Sequence, residues 1–275
     1  MPTDPEFAAD LYRGTARLYD RFRLPYAPKL ITSLLRQVRP TGAGAALDLG
    51  CGPGQLAFAL ADSFAEVWAA DQEADMIAMV GSKITSSGVR NLRPVVAAAE
   101  QLDAPAAHFE LVVIGNAFHR MPRQQVAERI ASWLRPGSHL ALCWSASPWS
   151  GDEPWKRVYG DLLADWRDRL GAGDRIPANP DQNRSEHPDA EIIRATGLVP
   201  AGRNEIVESY DWTPGTLAGF SYATSFLPIT IFGDRTAEFE TDLAERLQPH
   251  LANGVLSDRV SYAYDLFTRP APAGT

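Results

Sequence analysis

The chain has 275 residues, a formal net charge of -8 at pH 7 and two cysteines. This length suffices for one large α/β domain, or a domain with an inserted cap, and excludes a small disulfide scaffold. The acidic balance disfavours a nucleic-acid partner, because affinity for a phosphate backbone depends on a basic face.

The N-terminus and the cysteines favour a cytoplasmic location. The first residues, MPTDPEFAAD, lack the basic and apolar regions of a signal peptide. No apolar run approaches the roughly 20 residues that span a bilayer, so no membrane partner is expected. Cys51 and Cys143 lie in apolar, strand-like stretches. Neither a disulfide bridge nor a metal site is therefore indicated, and a reducing compartment fits.

Strand and helix patterns alternate between residues 45 and 145, after an aromatic, arginine-bearing segment and a helix within ARLYDRFRLPYAPKLITSLLRQV. The predicted strands are AALDLG, EVWAAD, LRPVVA, ELVVIGN and HLALCWS. Apolar residues recur at helical spacing between them, beginning with Leu56, Leu60 and Phe64. Apolar strands separated by helices are typical of a parallel sheet covered on both faces. The predicted fold class is therefore α/β, with a doubly wound, mostly parallel sheet.

Residues 145–187 differ in kind, because an aromatic helix precedes a polar, proline-bearing loop. The apolar residues of this helix are Trp155, Tyr159, Leu162, Trp166 and Leu170. We interpret the segment as a helical lid over a substrate.

Residues 188–275 predict a short helix, a strand, a helix that begins at Thr213, a further helix, a last alternating strand and a frayed tail, RPAPAGT. The chain is accordingly divided into three parts: a cap with a cofactor-binding core (1–144), a lid insertion (145–187) and a C-terminal part that completes the sheet (188–275).

The most informative motif is the turn Gly50-x-Gly52-x-Gly54, which ends a strand and opens a helix. Such a turn presents bare backbone and a helix N-terminus to a ligand at the carboxyl edge of the sheet. Dinucleotide enzymes place the third glycine one residue later, where this chain has Gln55. An acid, Asp48, precedes the turn. The combination LDLGCGPG resembles motif I of the class I S-adenosylmethionine-dependent methyltransferases.

The resemblance covers residues from about 10 to 145 and implies a Rossmann-like sheet of seven strands, the last antiparallel, with S-adenosyl-L-methionine as cofactor. It implies that Asp71 holds the ribose hydroxyls and that Met76 packs on the adenine. Where the family commonly has an aspartate for the adenine amino group, this chain has Ala98. The implied cofactor-binding set is Tyr19, Arg23, Asp48, Gly50, Gly52, Gly54, Asp71, Gln72, Met76, Ala99, Glu100 and Asn116.

Several candidate site residues have a second, structural interpretation. Tyr19 and Arg23 are candidates for the methionine end of the cofactor, but helix packing and a solvated surface explain them equally well. His119 follows the fourth strand, and the ordinary pKa of imidazole suits proton removal near neutral pH. It is the predicted catalytic base, with a loop histidine that only contacts the cofactor as the alternative. Cys51 is a potential nucleophile, but packing explains it better.

The predicted function is that of an S-adenosylmethionine-dependent methyltransferase, of the EC 2.1.1 class, acting on an N or O atom of a small molecule. The expected setting is the biosynthesis of specialised metabolites such as antibiotics. One alternative is a protein of the same fold that binds the cofactor or its product without methyl transfer, which Ala98 keeps open. A nicotinamide-dependent oxidoreductase is the other, and Gln55 argues against it. The motifs predict no particular substrate and no particular oligomeric state.

Overall fold

A seven-stranded sheet organises the protein, in a computed structural model that describes residues 4, 7–8, 10–177 and 184–271. The strand order is β3-β2-β1-β4-β5-β7-β6. Strands β1 to β5 pair in parallel, and β7 pairs antiparallel with both β5 and β6. This confirms the predicted mostly parallel sheet with an antiparallel last strand. The strands are β1 (Ala45–Leu49), β2 (Glu66–Asp71), β3 (Leu92–Val96), β4 (Phe109–Gly115), β5 (Leu134–Ser145), β6 (Val199–Trp212) and β7 (Leu256–Thr268).

Helices cover both faces of the sheet. One apolar cluster joins helices α2, α3 and α4 to the sheet, and a second joins α5 and α7 to the opposite face. The α-helices are α1 (Ala16–Phe22), α2 (Pro28–Val38), α3 (Gln55–Leu60), α4 (Ala74–Ser87), α5 (Arg123–Trp133), α6 (Pro154–Arg169), α7 (Asp189–Ala195), α8 (Pro214–Tyr222) and α9 (Thr236–Leu247). In the described part of the chain, none of the helices is both long and apolar enough to cross a membrane.

Burial along the strands explains their positions. All five residues of β1 are buried, as expected for a central strand with helices above and below. Strand β3 lies at the sheet edge and contains Pro94, which an edge strand tolerates because one side of its backbone needs no partner. At the other edge, β6 is exposed over its first five residues and alternates half-buried and exposed residues from Asn204 to Asp211, and its Glu208 pairs with Lys29 of α2.

The helix after the glycine turn is shorter than its apolar spacing predicts. Helix α3 ends at Leu60, and a turn of 3-10 helix follows over Ala61–Ser63. Phe64 is buried, but it has an extended backbone with φ of -135°. The Asn91 amide donates hydrogen bonds to the carbonyl oxygens of Ala61 and Phe64, which satisfies the acceptors that end the helix. The prediction of one continuous helix through Phe64 was therefore wrong.

The aromatic helix predicted after β5 is present as α6, and it packs with α8 and α9 in a third apolar cluster. The Tyr159 hydroxyl links α6 to α8 through the Ser221 hydroxyl at 2.7 Å and the Leu217 carbonyl oxygen at 3.0 Å. Thr213 caps α8 as predicted. The division of the chain at residues 145 and 187 stays a prediction. Residues 178–183 of the predicted loop and 272–275 of the predicted tail lie outside the described residues.

Candidate active site

Two adjoining cavities open at the carboxyl ends of β1 and β4. This is the place where the strand order reverses, and ligands of open α/β sheets bind at such points. The first, here called the turn cavity, has a volume of about 840 Å³ and is lined by Gly52, Asp71 and Met76. The second, here called the α6-side cavity, has a volume of about 710 Å³ and is lined by residues of α6. Tyr19 and Asn116 line both cavities.

The glycine turn adopts a backbone that favours glycine. Gly50, Gly52 and Gly54 have φ of 69°, 53° and 84°, in the left-handed region where other residues are strained. A Cβ atom on Gly50 would lie 2.9 Å from the Ala117 Cβ atom. Gly52 lines the turn cavity, and its N–H donates a 2.8 Å hydrogen bond to Asp71 Oδ2. Gly54 lines neither cavity and caps α3 instead.

Three acids with a raised pKa lie in the cavity walls around the turn: Asp48, Asp71 and Glu73. Asp71 also accepts a hydrogen bond from the Glu73 N–H at 2.9 Å, and burial raises the pKa of Asp71. Burial raises the pKa of Glu73 to about 7. Asp48 is 1% exposed and accepts a 2.8 Å hydrogen bond from the Ala57 N–H, so it fastens α3 to β1. Burial raises the pKa of Asp48 to about 7.

We expect Asp48 to make stability depend on pH. Between 3.8 and about 7 the folded protein holds a proton that the unfolded chain releases, so the free energy of unfolding falls as pH rises through this window. Asp48→Asn keeps an acceptor for the Ala57 N–H and removes the titration. In urea denaturation, the free energy of unfolding of the wild type should fall by on the order of 1–3 kcal/mol more than that of the variant across this pH window. Parallel pH profiles would contradict the assignment.

The turn cavity gathers most of the predicted cofactor residues. Nine of them line it: Tyr19, Gly50, Gly52, Asp71, Gln72, Met76, Ala99, Glu100 and Asn116. Arg23 and Asp48 line the α6-side cavity instead. Ala98 lines neither cavity, and its carbonyl oxygen accepts hydrogen bonds from Gln101 and Leu102.

Arg23 lies half-buried in the wall of the α6-side cavity rather than on a solvated surface. Its guanidinium group donates to the Ala223 carbonyl oxygen from Nε at 3.3 Å and from Nη2 at 3.1 Å. It also stacks on the Phe220 ring, 4.2 Å from the centroid, and lies 5.1 Å from the Tyr19 centroid. Nη1 takes part in neither of these hydrogen bonds, so Arg23 can still donate a hydrogen bond to a ligand in the cavity.

His119 lies in a 3-10 turn after β4 and lines the α6-side cavity. Its ring centroid is 6.3 Å from that of Trp144. Its Nε2 accepts a 3.1 Å hydrogen bond from Arg120 Nε. A proton can therefore reach Nε2 only when Arg120 releases this bond. Both predicted roles of His119, base and contact, fit this placement.

The structure does not favour Cys51 as a nucleophile. Cys51 is buried, and burial raises the pKa of its thiol well above the ordinary value, so the thiolate is disfavoured and packing explains the residue. Of the four arginines that line the α6-side cavity, only Arg23 was predicted as a site residue. Arg167 and Arg184 were missed because they come from separate segments, whereas Arg120 had a local signal, since it follows His119 directly in the turn after β4.

Arg123 joins three parts of the chain around the turn cavity. It is 2% exposed, and its Nε donates to Asp4 Oδ1 at 2.8 Å. Its Nη1 donates to Asp189 Oδ1 at 2.9 Å and to the His187 carbonyl oxygen at 2.8 Å. Because Asp4 lines the turn cavity, Arg123 holds Asp4 and the start of α7 in place around it.

Arg123→Met should lower the free energy of unfolding by about 3–5 kcal/mol, because Asp4, whose side chain is 19% exposed, loses its cation, and Asp189, at 10%, keeps only Arg184. The matched control is Arg135→Met, which breaks the more exposed pair of Arg135 with Glu110 and should cost less than about 1 kcal/mol. Urea denaturation measures both. Equal costs for the two variants would show that Arg123 does not fasten these segments.

Comparison with known proteins agrees with this architecture. The family model of a methyltransferase domain matches residues 46–137. An uncharacterized methyltransferase of Mycobacterium tuberculosis is 28% identical over 160 residues, which are 58% of this chain and 60% of that protein. The matched part of the chain thus spans about 60% of the length of this relative.

Solved structures share the fold. A putative type II methyltransferase from Anaeromyxobacter dehalogenans matches with a TM-score of 0.61 and 22% identity, over 92% of this chain and 100% of that one. SpnF, described as a cyclase, matches with a TM-score of 0.58 and 15% identity, over 99% of each chain. At these identities the likeness establishes the fold.

Proposed function

We propose that this chain, a member of the class I S-adenosylmethionine-dependent methyltransferase family, transfers a methyl group from S-adenosyl-L-methionine to an N or O atom of a small molecule. One observation carries the proposal. The bare glycine turn, Asp71 and Met76 line one cavity, which shares Tyr19 and Asn116 with a second cavity beside it. The setting we propose is the biosynthesis of specialised metabolites in the cytoplasm.

The turn cavity suits this cofactor in size and in chemistry. Its volume of about 840 Å³ is typical of small-molecule sites. A Cβ atom at Gly52 would face the Tyr19 ring at 3.7 Å, and both residues line the cavity, so the missing side chain leaves room for a ligand against the backbone. Asp71 provides carboxylate oxygens for a sugar, and Met76 provides an apolar surface for a base.

In this proposal Asp71 binds the ribose hydroxyls, Met76 and Ala99 contact the adenine, and Tyr19 orients the methionine end. When bound, S-adenosyl-L-methionine supplies an electrophilic methyl group on a sulfonium. The chain contributes proximity and exclusion of water, because in-line displacement depends on an aligned and desolvated nucleophile. The α6-side cavity holds the acceptor, and His119 removes its proton at Nε2 after Arg120 releases that nitrogen.

The alternative is cofactor binding without methyl transfer. It is supported by Ala98, which cannot accept a hydrogen bond from an adenine amino group through its side chain, and by the fold shared with a protein described as a cyclase. Incubation with methyl-deuterated S-adenosylmethionine and a substrate panel, followed by mass spectrometry, distinguishes the two. We expect labelled product and S-adenosylhomocysteine. Tight cofactor binding with no labelled product across the panel would favour the alternative.

A further inference from the structure

We infer that the acceptor substrate is an organic anion, with a carboxylate or phosphate group on an aromatic body, bound among the arginines of the α6-side cavity. This inference rests on the proposed function, because it names the class of substrate for the second cavity of the same site.

The α6-side cavity has an excess of positive charge. Arg23, Arg120 and Arg167 all line the α6-side cavity. Among the described residues, none of these three has an Asp or Glu oxygen within 4.0 Å. A fourth arginine, Arg184, pairs with Asp189 at 3.0 Å and stacks on Trp144, 4.1 Å from its centroid.

Negative charge in the described wall of this cavity is limited to Asp48. Asp48 is 1% exposed, already accepts the Ala57 N–H, and has a pKa raised by burial to about 7. The wall therefore holds more cations than anions, although the whole chain has a net charge of -8. A local charge opposite to that of the protein is typical of a site that selects its ligand by charge.

The proposed cofactor does not remove this excess. S-adenosylmethionine has one carboxylate, which can pair with one arginine, but it also brings an ammonium and a sulfonium. Two arginines and a net positive cofactor then remain beside the acceptor. Burial lowers the pKa of Arg23 and lowers that of Arg120 to about 10, so both guanidinium groups lack full compensation in the protein alone. A carboxylate or phosphate on the acceptor substrate compensates this positive charge, because it accepts paired hydrogen bonds from a guanidinium group.

The wall of the α6-side cavity also has an apolar, aromatic part. Trp144, Trp149, Phe220 and Phe226 line the same cavity as the arginines. Trp149 packs edge-on against Phe226, with their ring centroids 5.3 Å apart. A cavity of about 710 Å³ with aromatic walls fits a planar body of one or two rings. An aromatic carboxylate or aromatic phosphate can pair with the arginines through its anionic group and pack against the aromatic side chains through its ring.

The test is a set of matched ligands titrated by calorimetry into the full chain loaded with S-adenosylhomocysteine. Cinnamyl, naphthyl and indolyl skeletons are each supplied as carboxylate, phosphate monoester, neutral amide and primary amine. We expect the carboxylate or the phosphate of at least one skeleton to bind about tenfold or more tightly than its amide, and the amine not to bind. The better of the two anions identifies the group. Equal binding of anion and amide, preference for the amine, or no millimolar binding in any skeleton would overturn the inference.

A variant on α6 tests whether Arg167 contributes to the preference for an anion. Arg167→Gln should weaken the preference for the anion, because one of the three arginines without a carboxylate partner is lost, whereas Arg157→Gln, an exposed position on the same helix, should leave it unchanged. Equal anion preference in both variants would contradict the role of Arg167. Unchanged affinity for S-adenosylhomocysteine shows that both variants are folded. If the wild type fails to bind S-adenosylhomocysteine, the proposed function fails, but the same ligand set titrated into the unloaded protein still decides the charge preference.

Discussion

Gly52→Val is expected to weaken binding of S-adenosylhomocysteine by more than about 100-fold, to the point where calorimetry detects none. The added side chain would occupy the space between the turn and Tyr19 that the ligand needs. It would also strain a backbone with φ of 53°. A shift of this backbone would also break the hydrogen bond from the Gly52 N–H to Asp71 Oδ2.

The control for this experiment is Gly88→Val at the end of α4. Gly88 has φ of 74°, so the strain is similar, at about 1–3 kcal/mol for each variant. No atom lies within 4 Å of a Cβ built there, and Gly88 lines neither cavity. We expect Gly88→Val to lose stability but keep ligand affinity. Full affinity in Gly52→Val would remove the turn from the ligand site.

His119→Ala should lower the turnover number by about 100-fold or more and change the affinity for S-adenosylhomocysteine by less than about threefold. The base is lost, while Asp71 and Met76 of the turn cavity are untouched. A base role also predicts partial recovery of turnover at high pH, where the acceptor loses its proton to solvent. Turnover and affinity are measured separately, by product formation and by calorimetry.

His250→Ala is the matched control, because His250 lines neither cavity. It should retain wild-type turnover. If His119→Ala loses affinity and turnover in proportion, His119 is a contact of the cofactor and not a base. The hydrogen bond from Arg120 makes this outcome informative, since Arg120 lines both cavities and would lose its fixed partner in the variant.

Local pattern was sufficient to predict the parallel part of the sheet and the glycine turn, whereas the seven strands and the antiparallel last strand were predicted from the resemblance. Five strands with helices between them follow from apolar periodicity, and the bare turn followed by Asp71 one strand later is visible in the sequence alone. Phe64 shows the limit, because its spacing continues the helix while the Asn91 amide, 27 residues away, ends it. Periodicity contains no information about such a distant partner.

The α6-side cavity could not be predicted in this way. Its wall combines the segment after α1, the end of β4, α6 and Arg184. Tertiary packing brings these together, in part through the contact of Tyr159 with Ser221 across 62 residues of sequence. The arginines there look scattered in the sequence, so the charge of the cavity appears only in the fold.

The most direct test of the central claim is a calorimetric titration of the wild-type protein with S-adenosylhomocysteine and, in parallel, with NAD+. We expect saturable binding of S-adenosylhomocysteine with one site per chain and no heat from NAD+, because Gln55 stands where dinucleotide enzymes have their third glycine. If the protein does not bind S-adenosylhomocysteine, or binds NAD+ in its place, the glycine turn does not form an S-adenosylmethionine site.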